Sequence, residues 1–221
     1  TKVYARTIVK KGVPLLEIAE KIESKIVELG GKPAFPVNLS IDNIAAHYTP
    51  SHDDKTLAHG LLKVDLGVHI GGFVADTAFS LDLENNEENK KLIKASEEAL
   101  EKALSLVKSK SVEARLSEVG KVIQNTIESH GFSPVTNLSG HSIEKYNLHA
   151  GDTVPNIDNN GASKFKEGIY AIEPFTTNGN GKVHDGVRSG IYELVEERNT
   201  RSPIAREVLT FIQKEYETLP F

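Results

Sequence analysis

Apolar side chains recur at helical spacing in three stretches of the chain. Over 13–29 they fall at Leu15, Leu16, Ile18, Ala19, Ile22, Ile26 and Leu29, with Pro14 suited to a first turn and Gly30-Gly31 to a stop. A second amphipathic helix is predicted from about Glu87 to Val107, carrying Leu92, Ala95, Ala99, Leu100, Ala103, Leu104 and Val107 on one face. A third is predicted from about Val112 to Ser129, ending before Gly131. The pattern changes to a strand type at 61–68 and 72–79, two β-rich runs joined by His69-Ile70-Gly71-Gly72, which reads as a hairpin with a glycine turn. Gly168-Ile169-Tyr170-Ala171-Ile172-Glu173 reads as a further strand ending in a carboxylate.

Part of this pattern occurs twice. At an offset of 100, Leu16 aligns with Leu116, Ile22 with Val122, Val27 with Ile127 and Gly31 with Gly131. At an offset of 99, Asn38-Leu39-Ser40 then falls on Asn137-Leu138-Ser139. A helix, a turn and an N-L-S loop leading on to histidines in both halves suggest a duplicated α/β unit. Helices followed by antiparallel strands predict an α+β domain with helices packed on one face of a sheet. No low-complexity segment divides the chain. The expectation is one catalytic domain over 1–190, with repeat halves of about 1–85 and 86–190, followed by a segment of different character at 191–221.

Composition narrows the function. With 26 Lys+Arg against 31 Asp+Glu the net charge is −5, which argues against a generic or sequence-specific nucleic-acid binder, since phosphate neutralisation needs a basic face. No apolar run approaches the roughly 18 residues of a membrane span. The chain has no cysteine, so any metal must be held by His, Asp and Glu, and the absence fits a reducing cytoplasm.

Asp65 and Asp76 interrupt otherwise apolar strands, and Glu173 repeats the anomaly. Buried carboxylates are costly unless paired, hydrogen-bonded or bound to a cation. Three strand carboxylates with a histidine such as His141 form a hard O/N donor set suited to Mn, Co, Fe or Zn, and two divalent ions would offset the crowded charge. His52, His59, His69 and His130 are read as solvent-exposed, and His184 as a loop residue without a role.

The strings N-L-S-I-D-N-I-A-A-H-Y-T-P (38–50), K-V-D-L-G-V-H-I-G-G-F-V-A-D-T-A (63–78), N-L-S-G-H-S-I-E-K-Y-N-L-H-A-G-D-T-V-P (137–155) and Y-A-I-E-P-F (170–175) closely resemble methionine aminopeptidases of the type II class, particularly the archaeal members. The resemblance covers essentially the whole chain, with the motifs in order and at matching spacing. It implies the pita-bread fold, a pseudo-twofold α/β duplication around two divalent metal ions, and hydrolytic removal of the N-terminal methionine from nascent polypeptides by a cytoplasmic monomer that works at the ribosome.

By motif, the resemblance makes Asp65, Asp76, His141 and Glu173 metal ligands. His47 and His149 become the non-ligand histidines that contact the substrate and stabilise the reacting carbonyl, and Phe35 and Leu148 become walls of the methionine pocket. The family's last glutamate ligand, in a motif resembling Q-F-E-H-T, has no counterpart here. The stretch 191–221 resembles the start of the type II helical subdomain. The expectation is therefore a chain beginning midway through a first helix and ending before its fifth ligand. Two other readings share these motifs: a proline-specific pita-bread peptidase, and a non-catalytic homologue that binds ribosomes or RNA.

Overall fold

The computed structural model describes residues 1–198 and 200–221. In chain order its elements are α1 Lys2–Ile8, α2 Leu15–Glu28, β1 Lys32–Ile41, β2 Leu61–Ile70, β3 Phe73–Asp82, α3 Glu87–Lys110, α4 Leu116–Ser129, β4 Ser133–Pro134, β5 Ser139–Ile143, β6 Thr153–Pro155, β7 Ile169–Ala171, β8 Thr176–Thr177 and α5 Pro203–Glu215. They form two compact units: residues 1–79, 144–148 and 188–221 make one, and residues 80–143 and 149–187 the other.

In the first unit α2 buries Leu15, Ile18, Ala19, Ile22 and Ile26 of its predicted face, whereas Leu29, just past the end of the helix, is 60% exposed. Beside it lies an antiparallel sheet of order β1-β2-β3. Over the first six residues of β2 the burial alternates, with Leu62, Val64 and Leu66 fully inside. Lys63, Asp65, Gly67 and His69 therefore share the opposite face of the strand. The Gly71-Gly72 turn that joins β2 to β3 takes positive φ at both residues, +56° and +86°, which glycine supplies without steric cost.

The N-L-S segment expected as a loop lies instead inside β1, where Asn38 is the register partner of Asp65. Pro33 and Pro36 disguise this strand in the sequence. It tolerates them because its register slips between Pro33 and Phe35 and again between Phe35 and Asn38, and an edge strand with bulges can spare an amide donor. The second slip accompanies a substitute bond, in which the Val37 amide donates to Glu23 Oε1 on α2 at 3.0 Å. Near the end of the chain, Tyr192 and Phe221 exchange both backbone hydrogen bonds, at 2.8 and 2.9 Å. The excursion 193–220, which carries α5, thus leaves and returns at one point. Asn199, within this stretch, lies outside the described residues.

In the second unit α3 presents Ala99 and Ala103 to α4, whose Leu116, Val119, Ile123 and Ile127 complete a core with Val154 and Phe165. Alanine permits the close helix approach. The helix expected from Val112 starts only at Leu116. Residues 114–116 are drawn into pairing with 163–165, through Leu116 N–H to Ser163 O (2.9 Å) and Phe165 N–H to Ala114 O (3.1 Å), and this leaves Arg115 extended. Strand β5 is central in the order β6-β5-β7. The strand read over 168–173 is confined to β7, so Glu173 lies two residues beyond its end.

Candidate metal centre and active site

In the second unit, β5 places His141 inside, 8% exposed, opposite Thr153 on β6 and Ala171 on β7. The close approach of β7 requires Gly140, where a Cβ would sit 2.2 Å from Ala171 O. His141 Nε2 lies 3.0 Å from Glu173 Oε1. The other ring nitrogen, Nδ1, is 3.3 Å from the Ser142 carbonyl. A carbonyl can only accept, so that bond puts the proton on Nδ1 and turns the Nε2 lone pair toward the carboxylate. Two lone-pair donors at 3.0 Å repel unless a proton or a cation lies between them. A proton makes this an ion pair, and a divalent cation would be held by the same two donors. The exposed His149 ring packs edge-on against His141, with centroids 4.5 Å apart.

In the first unit, half-buried Asp65 and Asp76 sit on neighbouring strands. Phe35, 6% exposed, is the register partner of Gly67. Its ring lies directly over that glycine, where a Cβ would come within 2.3 Å of it. Asp65 and Gly67 are two residues apart on one strand face, so an apolar plate stands beside a carboxylate. Lys63 shares this face. Burial pulls its ammonium down to about 8 against the opposing pull of Asp42, whose carbonyl accepts from Nζ at 2.6 Å.

His47 is exposed and takes a left-handed φ of +65°, unusual for a residue with a Cβ. The backbone around it is stitched to β1: Leu39 N–H donates to Tyr48 O at 2.6 Å, and the Thr49 hydroxyl to Val37 O at 3.0 Å. Leu148 is buried.

Of the histidines read as exposed, His52 and His59 are so. His69 is not. At 6% exposure it is covered by the Tyr146 ring, 5.8 Å away, and its Nδ1 accepts from the Gly72 amide at 3.2 Å. Nothing near position 69 in the sequence signals that cover. His130 is half-buried and bonded to Glu98 Oε2 at 2.8 Å. His184 is an exposed loop residue. Ser142 and Asp152, which no sequence pattern singles out, are tied to the loop that carries His149.

A mixed helix and sheet scaffold that sets a histidine and a carboxylate 3.0 Å apart fits a metal-dependent hydrolase. The sequence model of "Metallopeptidase family M24" matches residues 1–201, and the chain belongs to that family. It is 50% identical over 221 residues to a methionine aminopeptidase of Pyrococcus horikoshii, an alignment covering 97% of this chain and 72% of that one. Its fold is similar to the crystal structure of methionine aminopeptidase from Thermotoga maritima, with TM-score 0.70 and 26% identity over 80% of this chain and 74% of that one. A thermophilic Arx1 shares the fold at TM-score 0.77 and 15% identity, over all of this chain and 71% of that one. The pita-bread fold expected from the motifs is thus the one this chain adopts.

Proposed function

We propose that the chain removes the N-terminal methionine of nascent polypeptides by metal-dependent hydrolysis of the first peptide bond. The observation that carries this reading is the 50% identity to a methionine aminopeptidase across 97% of the chain. The His141–Glu173 pair at 3.0 Å supports the metal dependence.

The proposed ligands are Asp65, Asp76, His141 and Glu173, which would hold two divalent ions of the Co, Mn, Fe or Zn type. When bound, such ions acidify water toward neutral pH and polarise the scissile carbonyl. The protein's own groups do the rest. His149, exposed and held against His141, is placed to donate a hydrogen bond to the substrate carbonyl as negative charge develops on its oxygen. His47 takes the second such role, toward the substrate backbone. Phe35 and Leu148 line the pocket for the methionine side chain. An apolar pocket discriminates by only a few kcal/mol, so Phe35 over Gly67 serves more to exclude wider side chains than to grip methionine.

The place of action is the cytoplasm, at the ribosome, with the protein a monomer and 191–221 opening a helical subdomain. Among the described residues no helix is long and apolar enough to cross a membrane.

The test is methionine release from Met-Ala-Ser and Met-Pro-Ser peptides by the full chain loaded with Mn²⁺. Release is expected from the first peptide, and His141→Ala is expected to abolish both this turnover and the calorimetric Mn²⁺ binding heat. Undiminished turnover in His141→Ala would overturn the ligand assignment, and a preference for Met-Pro-Ser would overturn the substrate assignment.

A further inference from the structure

Three hydrogen bonds tie Ser142, the residue after the proposed ligand His141, to residues 150–152. Its amide donates to Asp152 O at 2.9 Å, and its carbonyl accepts from the Ala150 amide at 2.9 Å. Its hydroxyl oxygen accepts from the Asp152 amide at 3.1 Å. Two are backbone bonds that any residue could make. The third belongs to the serine side chain, which is itself buried. Together they wrap residues 150–152 around one point of β5, immediately after His149.

The far end of this wrap is also anchored. The Asp152 carboxylate accepts from Lys166 Nζ at 2.9 Å and from the Tyr170 hydroxyl at 3.1 Å. The hydrogen bonds from Lys166 and Tyr170 hold it below the usual carboxylate range. Tyr170 is in turn the register partner of Ser142 on β7. Its hydroxyl accepts from the Lys166 amide at 3.2 Å, and its ring packs edge-on against Phe165, with centroids 4.8 Å apart. Phe165 belongs to the core of this unit. Asp152 therefore spans from the loop that follows His149 to β7, across the position of Ser142.

We infer that Ser142 and Asp152 are positioning residues that fix the His149 imidazole for catalysis. The inference rests on the role proposed for His149. Neither side chain touches the reacting atoms. The Ser142 hydroxyl sets where the chain turns after His149, and Asp152 locks that turn to Tyr170 and Lys166. They thereby set the course of the chain that carries the His149 ring against His141. A displacement of about 1 Å at a catalytic group costs up to about a hundredfold in rate.

The experiment uses the full chain and its Ser142→Ala, Ser142→Thr and Asp152→Ala variants, with two readouts. In methionine release from Met-Ala-Ser, Ser142→Ala and Asp152→Ala are expected to lower kcat about ten- to a hundredfold while KM and Mn²⁺ affinity stay within about twofold. Ser142→Thr, which keeps the hydroxyl, is expected to recover kcat. In proton NMR of the Zn²⁺-loaded protein, the His149 ring signals, assigned with His149→Gln, are expected to lose the ring-current shift from His141 in both alanine variants. Unchanged kcat together with unmoved His149 signals would overturn the inference. So would a parallel loss of Mn²⁺ affinity, because the two residues would then serve His141 instead. A parent protein that releases no methionine would sink the proposed function by itself, and the NMR readout would still decide the positioning role.

Discussion

At Gly67 a side chain has nowhere to go, because the Phe35 ring and Ala34 Cβ occupy the space above it within 2.9 Å. Gly67→Val is expected to force Phe35 out of place. Overpacking of this kind costs about 1–3 kcal/mol, and urea unfolding measures it. If Phe35 walls the methionine pocket, kcat/KM for Met-Ala-Ser falls as well, chiefly through KM.

His69 offers a different residue-scale test. Burial, with Lys32 opposite it in the ladder, holds its imidazole below the ordinary histidine range. Around it stand the Tyr146 ring and the Gly72 amide, and Lys32 is itself paired with Glu215 at 3.1 Å. The unfolded chain therefore binds this proton more readily than the folded one. The stabilisation is present above about pH 6.5, the unfolded value, and is lost as pH falls below it. The urea midpoint is expected to drop between pH 7.5 and 5.5, and the drop should shrink in His69→Gln.

Legibility at this scale divides by chemistry. Acids in apolar strands announce themselves by their cost, which singles out Asp65 and Asp76, whereas Glu173 follows β7 and is not a strand residue. A histidine covered by Tyr146, 146 − 69 = 77 positions away, leaves no local trace.

Between elements, the Glu23–Val37 bond decides how α2 meets β1. The register slip leaves the Val37 amide for the helix to satisfy, and burial raises the Glu23 carboxyl while that amide lowers it. Glu23→Ala leaves a donor without its acceptor, a loss of about 1–3 kcal/mol. A lowered thermal midpoint with unchanged Mn²⁺ affinity is the expected outcome. The helices themselves were legible from their periodicity, as was the hairpin from its glycines. Strand β1 was hidden by its prolines, and the late start of α4 by long-range pairing with 163–165, which no local pattern encodes.

For the whole molecule, the duplication visible in the sequence survives with a changed register. Helices α2 and α4 each span 14 residues, and 116 − 15 = 101 sets their offset. At 101, buried Leu15, Ile18, Ile22 and Ile26 meet buried Leu116, Val119, Ile123 and Ile127. Gly30 meets Gly131, with φ of +87° and +80°. The sequence alignment at 100 matched residue identities, whereas the fold matches positions facing the core. Identity drifts under substitution, and burial does not.

The paired backbones of Tyr192 and Phe221 bear on how such a chain can change. A hydrogen-bonded antiparallel pair holds its Cα atoms about 5.5 Å apart, so the first unit must span the same short gap whatever hangs beyond it. Closing a flexible loop costs only about 0.6 kcal/mol more for each doubling of its length. The Tyr192–Phe221 junction therefore fixes both ends of the excursion, and any change in its length is confined between them and the second anchor that Glu215 makes to Lys32 at the start of β1.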